Sequence, residues 1–136
     1  MDTSVGADLR AIEAVVLDYF EGWFTGDATR MKRALHPKLA KRAVGGDARW
    51  WGEGSDADQK ALDETSAEWL IDATANGLGR ERARTVGGDT RVEVEIEDVY
   101  DTIANVTVRS AIYREYVHLL RTREGWKIVN TVWQRV

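Results

Sequence analysis

A carboxylate, a phenol and an imidazole occur close together at Glu115, Tyr116 and His118, and these are the groups that acid-base chemistry uses near neutral pH. They are the candidate catalytic residues. The alternating pattern around them predicts a strand, whose successive side chains point to opposite faces. Tyr116 and His118 then share one face, and Glu115 lies on the other with Val117 and Leu119. One strand therefore cannot present all three groups to one pocket. In the structural alternative, Glu115 pairs with an arginine and His118 forms a hydrogen bond at a sheet or dimer surface.

His36 is a further polar candidate because it precedes Pro37. A residue before proline is pushed out of the helical region, so a helix is predicted to end here, and a helix end favours a cation. That structural role needs no ligand. In the functional alternative, His36 faces a pocket and, like Tyr116, orients a bound molecule.

Four aromatic residues, Tyr19, Trp23, Trp69 and Trp133, are predicted on inward faces or near the ends of elements. They are either core residues or the walls of an apolar pocket for a small molecule. A flat heteroaromatic ligand between Trp23 and Trp133 would gain about 0.5 to 1.5 kcal/mol per ring beyond burial. The adjacent pair Trp50-Trp51 cannot face one side of a strand, so at least one of the two is exposed or covers a lid or a partner.

Composition narrows the class of protein. The chain has 136 residues, 43% of them hydrophobic, with a formal net charge of −4. Its length predicts one domain over residues 1–136 and excludes a two-domain enzyme. The negative charge gives no reason to expect a nucleic-acid partner. No stretch approaches the roughly 20 apolar residues of a membrane span, and the first residues lack the pattern of a secretion signal. We therefore expect a cytoplasmic protein with no membrane partner.

The search for cofactor and metal motifs is negative. The chain has no glycine-rich nucleotide loop, no nucleophile elbow and no His-Glu-x-x-His pattern. It also has no cysteine and only 2 histidines, too few for a zinc site with three nitrogen ligands. We predict neither a cofactor nor a metal.

The first part of the chain has helical periodicity. Apolar residues spaced for one helix face are Leu9, Ile12, Val15, Val16, Tyr19, Phe20 and Trp23. Gly26 is predicted to end this helix and Asp27 to cap a second, short one. After a short strand from Leu39 to Val44, the segment Thr65-Ser66-Ala67-Glu68 resembles a capping box before a third helix. The arginine-rich segment Arg80 to Arg91 is predicted to be a solvated loop.

The last 45 or so residues change to a period of two, which predicts strands. Alternation runs from Val92 to Glu97 and again from Ala104 to Arg109. A hairpin follows, with strands from about Arg114 to Thr122 and from Trp126 to Arg135. Helices followed by antiparallel strands indicate an α+β fold, in which helices pack on one face of a curved sheet.

Several segments together resemble one family. They are the aromatic-rich helix end Tyr19 to Asp27, the segment Ala34 to Arg42, the segment Glu115 to Leu120, and the segment Gly125 to Trp133. On these residues the chain resembles the "Putative lumazine-binding" branch of the nuclear transport factor 2-like superfamily, although Glu115 stands where that branch usually carries Asp. The resemblance implies a cystatin-like cone of about three helices against a bent, mainly antiparallel sheet. It also implies a pocket at the open end of the cone and a homodimer formed through the sheet.

Three hypotheses for function follow from the residues and the resemblance. In the first, the pocket binds a small molecule, with contacts from Tyr19, Trp23, Trp69 and Trp133 and orientation from His36 or Tyr116. In the second, a pocket carboxylate or imidazole abstracts a proton, as in a cofactor-independent isomerase, dehydratase or cyclase. In the third, the fold serves only for dimerisation. A buried carboxylate bonded to another titratable group would favour catalysis.

Overall fold

Four helices and six strands form within the residues that this computed structural model describes, 3–44 and 62–136. The helices are α1 (Thr3–Thr25), α2 (Ala28–Ala34), α3 (Ala67–Ala75) and α4 (Leu78–Arg84). The strands are β1 (Leu35–Val44), β2 (Leu62–Thr65), β3 (Val92–Tyr100), β4 (Ile103–Ser110), β5 (Tyr113–Thr122) and β6 (Gly125–Arg135). The predicted exposure of Trp50-Trp51 lies outside the described residues.

Helix α1 buries the face that its periodicity predicts, with Ile12, Val16 and Phe20 almost fully enclosed. Leu9 differs, since it is 39% exposed and precedes the first enclosed position of the helix. Gly26 ends α1 with a positive φ of 75°, and the Asp27 side chain accepts from the Arg30 backbone N–H at 3.1 Å. The predictions that Gly26 ends α1 and that Asp27 caps α2 are both confirmed.

The boundary between α2 and β1 corrects the interpretation of His36. Helix α2 ends at Ala34, and Leu35 is already extended, with φ −98° and ψ 139°. His36 therefore lies inside a strand, where its Nδ1 accepts from the Lys38 backbone N–H at 3.0 Å. A residue before proline prefers extended backbone, and here β1 begins before that residue, at Leu35. His36 is therefore not at a helix end, and the predicted interaction with a helix dipole is wrong.

The arginine-rich segment is partly helical, since a helix covers Leu78–Arg84. The prediction of a solvated loop from Arg80 onward is therefore wrong. Gly77 is left-handed, with φ 83°, and α4 begins directly after it. A Cβ on Gly79 would lie 2.0 Å from the backbone oxygen of Trp23, so this glycine permits the close packing of α4 on α1.

The cap of α3 also differs from the prediction, in which the capping box began at Thr65. The capping residue is Ser66, whose hydroxyl accepts from the Trp69 N–H at 3.0 Å, and Thr65 belongs to β2.

The six strands form one sheet in the order β2-β1-β6-β5-β4-β3. Every pair is antiparallel except β1 with β6, so the prediction of a mainly antiparallel sheet is confirmed. Register shifts interrupt β1, β3 and β6, and such bulges bend strands. The turn before β5 contains no glycine or proline. Instead, the Ser110 hydroxyl accepts from the Tyr113 N–H at 2.9 Å.

The helices cover one face of this sheet and leave the other uncovered. Inward residues of the central strands are buried, among them Val106, Val117 and Ile128. Tyr116 and Val132 on the outward face are 48% and 40% exposed. Among the helices formed by residues 3–44 and 62–136, none is long and apolar enough to cross a bilayer.

Candidate functional site

A buried ion pair lies between the helices and the sheet. Glu115 is 2% exposed and Lys41 is 8% exposed, and the Lys41 Nζ lies 3.0 Å from the Glu115 Oε2. The Tyr19 hydroxyl donates to the same carboxylate oxygen at 2.6 Å. The Lys41 ammonium also contacts the Tyr19 hydroxyl oxygen. We call these three residues the Lys41 triad.

Three elements that are distant in sequence bring the Lys41 triad together. Tyr19 is on α1, Lys41 on β1 and Glu115 on β5, and β6 lies between the two strands. Trp133 of β6 is in register with Glu115 on one side and with Ala43 on the other. Because alternate residues of a strand share a face, the sheet itself directs both charged side chains inward.

Aromatic rings surround the charged groups. The Lys41 Nζ lies 5.0 Å from the centroid of the Tyr19 ring and 5.4 Å from that of Trp133. Trp133 meets Tyr113 edge to face, with centroids 5.1 Å apart. The Trp23 Nε1 donates to the Tyr113 hydroxyl at 3.1 Å. Tyr113 thus contacts both of the tryptophans that were predicted to hold a flat ligand.

Burial shifts the proton affinities of these groups. Desolvation, reinforced by the negative charge of Glu115, raises the pKa of Tyr19 well above its ordinary value. Desolvation lowers the pKa of Lys41, and the attraction of Glu115 opposes that shift. Desolvation also raises the pKa of Tyr113. Tyr19 is therefore a hydrogen-bond donor at neutral pH, and Lys41 gives up its proton more readily than an exposed lysine.

The Lys41 triad borders an internal cavity of about 50 Å³, which has room for roughly one or two water molecules. The cavity is lined by Tyr19, Phe20, Trp23, Met31, Lys41, Ala43, Asp63, Thr65, Trp69, Leu70, Leu78, Arg82, Ile112, Tyr113, Glu115, Trp133 and Arg135. An open cleft of about 840 Å³ adjoins it. Four residues line both spaces: Lys41, Asp63, Thr65 and Trp69. Lys41 therefore lies at the boundary between the cavity and the cleft.

The predicted pocket residues divide into two groups. Tyr19, Trp23, Trp69, Trp133 and Glu115 line the cavity. His36, Tyr116 and His118 do not.

Alternation explains why Tyr116 and His118 are excluded from the cavity, since both lie on the outward face of β5, opposite Glu115. His36 borders a separate surface groove beside Pro37 and Ile71. The opposite placement of Glu115 relative to Tyr116 and His118 is as alternation predicts, whereas His36 and Tyr116, expected to orient a ligand in the pocket, do not line this cavity.

Lys41 is the residue that the sequence interpretation missed, and Glu115 pairs with it rather than with an arginine. A signal was present, because Leu39, Lys41 and Ala43 alternate along the predicted first strand, and all three are buried. A lysine on the apolar face of a strand requires a buried partner. Within residues 3–44 and 62–136, no three His, Asp or Glu side chains cluster as metal ligands would.

Comparison with known protein families gives one assignment. The model of the family described as "Putative lumazine-binding" matches residues 7–134. The chain belongs to this family. Comparison with curated proteins finds no match.

Solved structures of similar fold agree with this family. An NTF-2 like protein of unknown function from Silicibacter pomeroyi DSS-3 is 18% identical over 100% of both chains, with a TM-score of 0.66. An NTF2-like protein of unknown function from Shewanella baltica OS155 is 20% identical over 96% of this chain and 94% of that one, with a TM-score of 0.63. A ketosteroid isomerase-like protein from Erwinia carotovora atroseptica SCRI1043 is 15% identical over 95% and 96%, with a TM-score of 0.53. At these identities the likeness establishes the nuclear transport factor 2-like fold alone.

Proposed function

We propose that the cavity and the adjoining cleft together bind a small organic molecule. The observation that carries this proposal is the Lys41 triad, a set of hydrogen-bonding groups buried among aromatic rings. Small-molecule sites combine apolar walls with a few convergent polar groups in this way. The apolar part of the ligand lies against Trp69, and a polar group of the ligand bonds to Lys41 of the triad.

The volumes of the two spaces favour the cleft as the place for such a ligand. Organic ligands occupy pockets of roughly 300 to 1,000 Å³, and the cavity alone holds about 50 Å³. The cleft of about 840 Å³ has the space that the cavity lacks. The ligand therefore rests mainly in the cleft, beside Trp69, and reaches Lys41 at the boundary between the two spaces.

The name of the family suggests the first probe. A lumazine is a flat heteroaromatic molecule with ring carbonyls, which matches the stacking surfaces and the hydrogen-bond donors at this site. Titration with lumazine, followed by tryptophan fluorescence, tests binding. Native mass spectrometry of the protein purified from its own host tests for any other bound molecule.

Two variants make the binding test specific. Trp69 is 43% exposed at the site, and Tyr100 is 75% exposed on β3, away from it. We expect Trp69→Ala to weaken binding at least fivefold and Tyr100→Ala to leave it unchanged. Equal affinity of both variants for the ligand would contradict this site. The absence of any bound molecule, together with no response to lumazine, would contradict binding itself.

Acid-base catalysis is the second candidate function. It is favoured because the Glu115 carboxylate accepts hydrogen bonds from two titratable groups, Tyr19 and Lys41. This pattern suits abstraction of a proton beside a carbonyl group of the ligand that enters the cavity, which Glu115 lines, and the ketosteroid isomerase-like protein above has the same fold. Deuterium exchange into a bound enolisable ketone tests it. Exchange should disappear in Glu115→Gln and persist in His118→Gln, because His118 lies on the other face of the sheet.

We also propose that two copies of the chain associate through the outward face of the sheet. Tyr116 and Val132 are in register across β5 and β6, and both are substantially exposed there. An aromatic and a branched side chain side by side form an apolar patch that a second copy could cover.

A further inference from the structure

Lys41 differs from the other lysines of the described residues. Lys32 and Lys38 are exposed and Lys127 is half-buried, whereas Lys41 is enclosed between β1, β6 and α1. Its Nζ lies over two aromatic rings and next to a carboxylate. An amine is nucleophilic only when it is unprotonated, and burial is one of the ways in which proteins favour that state.

The position of Lys41 also gives it access to a bound molecule. Lys41 is a lining residue of both the internal cavity and the open cleft. A ligand held beside Trp69 in the cleft would therefore meet Lys41 at the cavity entrance. The other two members of the triad, Tyr19 and Glu115, line the cavity only.

The two neighbours of Lys41 can move the protons that an amine reaction requires. Glu115 lies 3.0 Å from the Lys41 Nζ and can accept a proton from the ammonium. The Tyr19 hydroxyl contacts the Lys41 ammonium and donates to Glu115, so a proton can pass among the three groups. Hydrogen-bonded contact of this kind between a nucleophile and a base is the geometry of an activated nucleophile.

We propose that Lys41 captures carbonyl compounds, forming an imine between its Nζ and the carbonyl carbon of an aldehyde or ketone bound in the cleft. This inference rests on the proposed function, because it assigns a substrate class to the same site.

The reaction balances without any external oxidant or reductant. Glu115 takes a proton from the Lys41 ammonium, and the free amine attacks the carbonyl carbon. The new N–C bond forms as the C=O pair moves to oxygen, and the oxygen takes one of the two protons left on the attacking nitrogen to give a neutral carbinolamine. The C–O bond then breaks, and the oxygen leaves as water with a second proton that Glu115 or Tyr19 returns. Nitrogen loses its remaining proton to the carboxylate when the neutral imine forms.

A purely structural ion pair is the competing explanation. Buried pairs hold elements together in many proteins and carry no chemistry. In that case Lys41 stays protonated and shielded, and aldehydes modify only the exposed lysines. The two explanations therefore predict different modification patterns for the same folded protein.

Benzaldehyde with sodium cyanoborohydride, which reduces an imine to a stable secondary amine, is the probe. Peptide mapping after reaction at pH 7 measures the adduct on each lysine. We expect the Lys41 peptide to carry at least ten times the adduct of the Lys127 peptide, and labelling of Lys41 to begin at lower pH than that of Lys32. Benzyl alcohol, which has the same ring and no carbonyl, should protect Lys41.

Two matched variants complete the test. Lys41→Arg keeps the charge and should abolish the selective adduct, whereas Lys127→Arg should leave it unchanged. If Lys41→Arg fails to fold, the peptide map of the unaltered protein and the protection by benzyl alcohol still distinguish imine formation from a purely structural ion pair.

The outcomes separate the two proposals. If tryptophan fluorescence shows that benzyl alcohol and benzaldehyde bind but the adduct lies only on exposed lysines, imine formation is overturned and ligand binding stands. If neither compound binds, and a lumazine also fails to bind, both proposals are overturned.

Discussion

The Glu115 carboxylate is held by donors from two different elements, Tyr19 of α1 and Lys41 of β1. Removing one member of a buried ion pair leaves the other charge uncompensated, which costs more than the pair contributes. The site is therefore both a candidate centre for chemistry and a point where the fold is sensitive to single substitutions.

Glu115→Gln should lower the free energy of unfolding by about 3 kcal/mol, because Lys41 is left buried without a counter-charge. Urea denaturation measures the change. Glu64 provides the control, since its ion pair with Arg42 at 2.7 Å is exposed, and Glu64→Gln should cost less than about 1 kcal/mol. The double variant Lys41→Met/Glu115→Leu should recover most of the lost stability. Equal losses of unfolding free energy in the two Glu→Gln variants would show that the buried ion pair contributes no more to stability than the exposed one.

Asp18 predicts a dependence of stability on acid pH. Hydrogen bonds from Arg33 and then Arg30 lower the pKa of this carboxyl below its usual 3.8, and partial burial opposes them. A lowered pKa stabilises the fold above pH 3.8, and this contribution is lost as the pH falls through the lower native value. Asp18→Asn should therefore cost about 1 to 2 kcal/mol at pH 7 and less near pH 2. Unfolding measured at both pH values checks this, and a constant difference would contradict it.

Helices α1 and α4 meet closely at one glycine. The Cβ that any other residue would place at Gly79 lies 2.0 Å from the Trp23 backbone oxygen and 2.7 Å from its ring. Trp23 in turn lines the cavity. The contact between the two helices therefore also fixes one wall of the proposed ligand site.

Gly79→Ala should destabilise the fold by about 3 kcal/mol or more, because backbone atoms must separate to admit the methyl group. Gly6→Ala is the matched control, since Gly6 is also helical and its Cβ would meet only the end of the Arg10 side chain at 3.3 Å. That change should stabilise the protein by up to about 1 kcal/mol. Thermal unfolding of both variants gives the comparison, and a neutral Gly79→Ala would disprove the close approach.

At the scale of the whole molecule, the two faces of the sheet have different roles. The inward face carries the core and the Lys41 triad, and the outward face carries Tyr116, His118 and Val132. Dimer formation through the outward face, like the cytoplasmic location, stays a prediction.

Tyr116→Glu should convert a dimer into a monomer, because it places a charge in the centre of the proposed apolar patch. Leu9→Glu is the control, as Leu9 is 39% exposed on α1, on the helix side of the sheet. Sedimentation equilibrium measures the mass. A monomeric unaltered protein, or a dimer that survives Tyr116→Glu, would contradict association through this face.

The sequence by itself determined the α+β class, the family, the buried face of α1 and the face of β5 on which Glu115 lies, because periodicity and alternation are local properties of the chain. It also identified four of the aromatic residues that line the cavity. Only the tertiary structure decided that Glu115 pairs with Lys41, that His36 and His118 lie elsewhere, and that the arginine-rich segment begins as a helix. Ion pairing depends on strand order and register between residues 74 positions apart. The cavity likewise depends on how closely helices pack on the sheet, which no local pattern specifies.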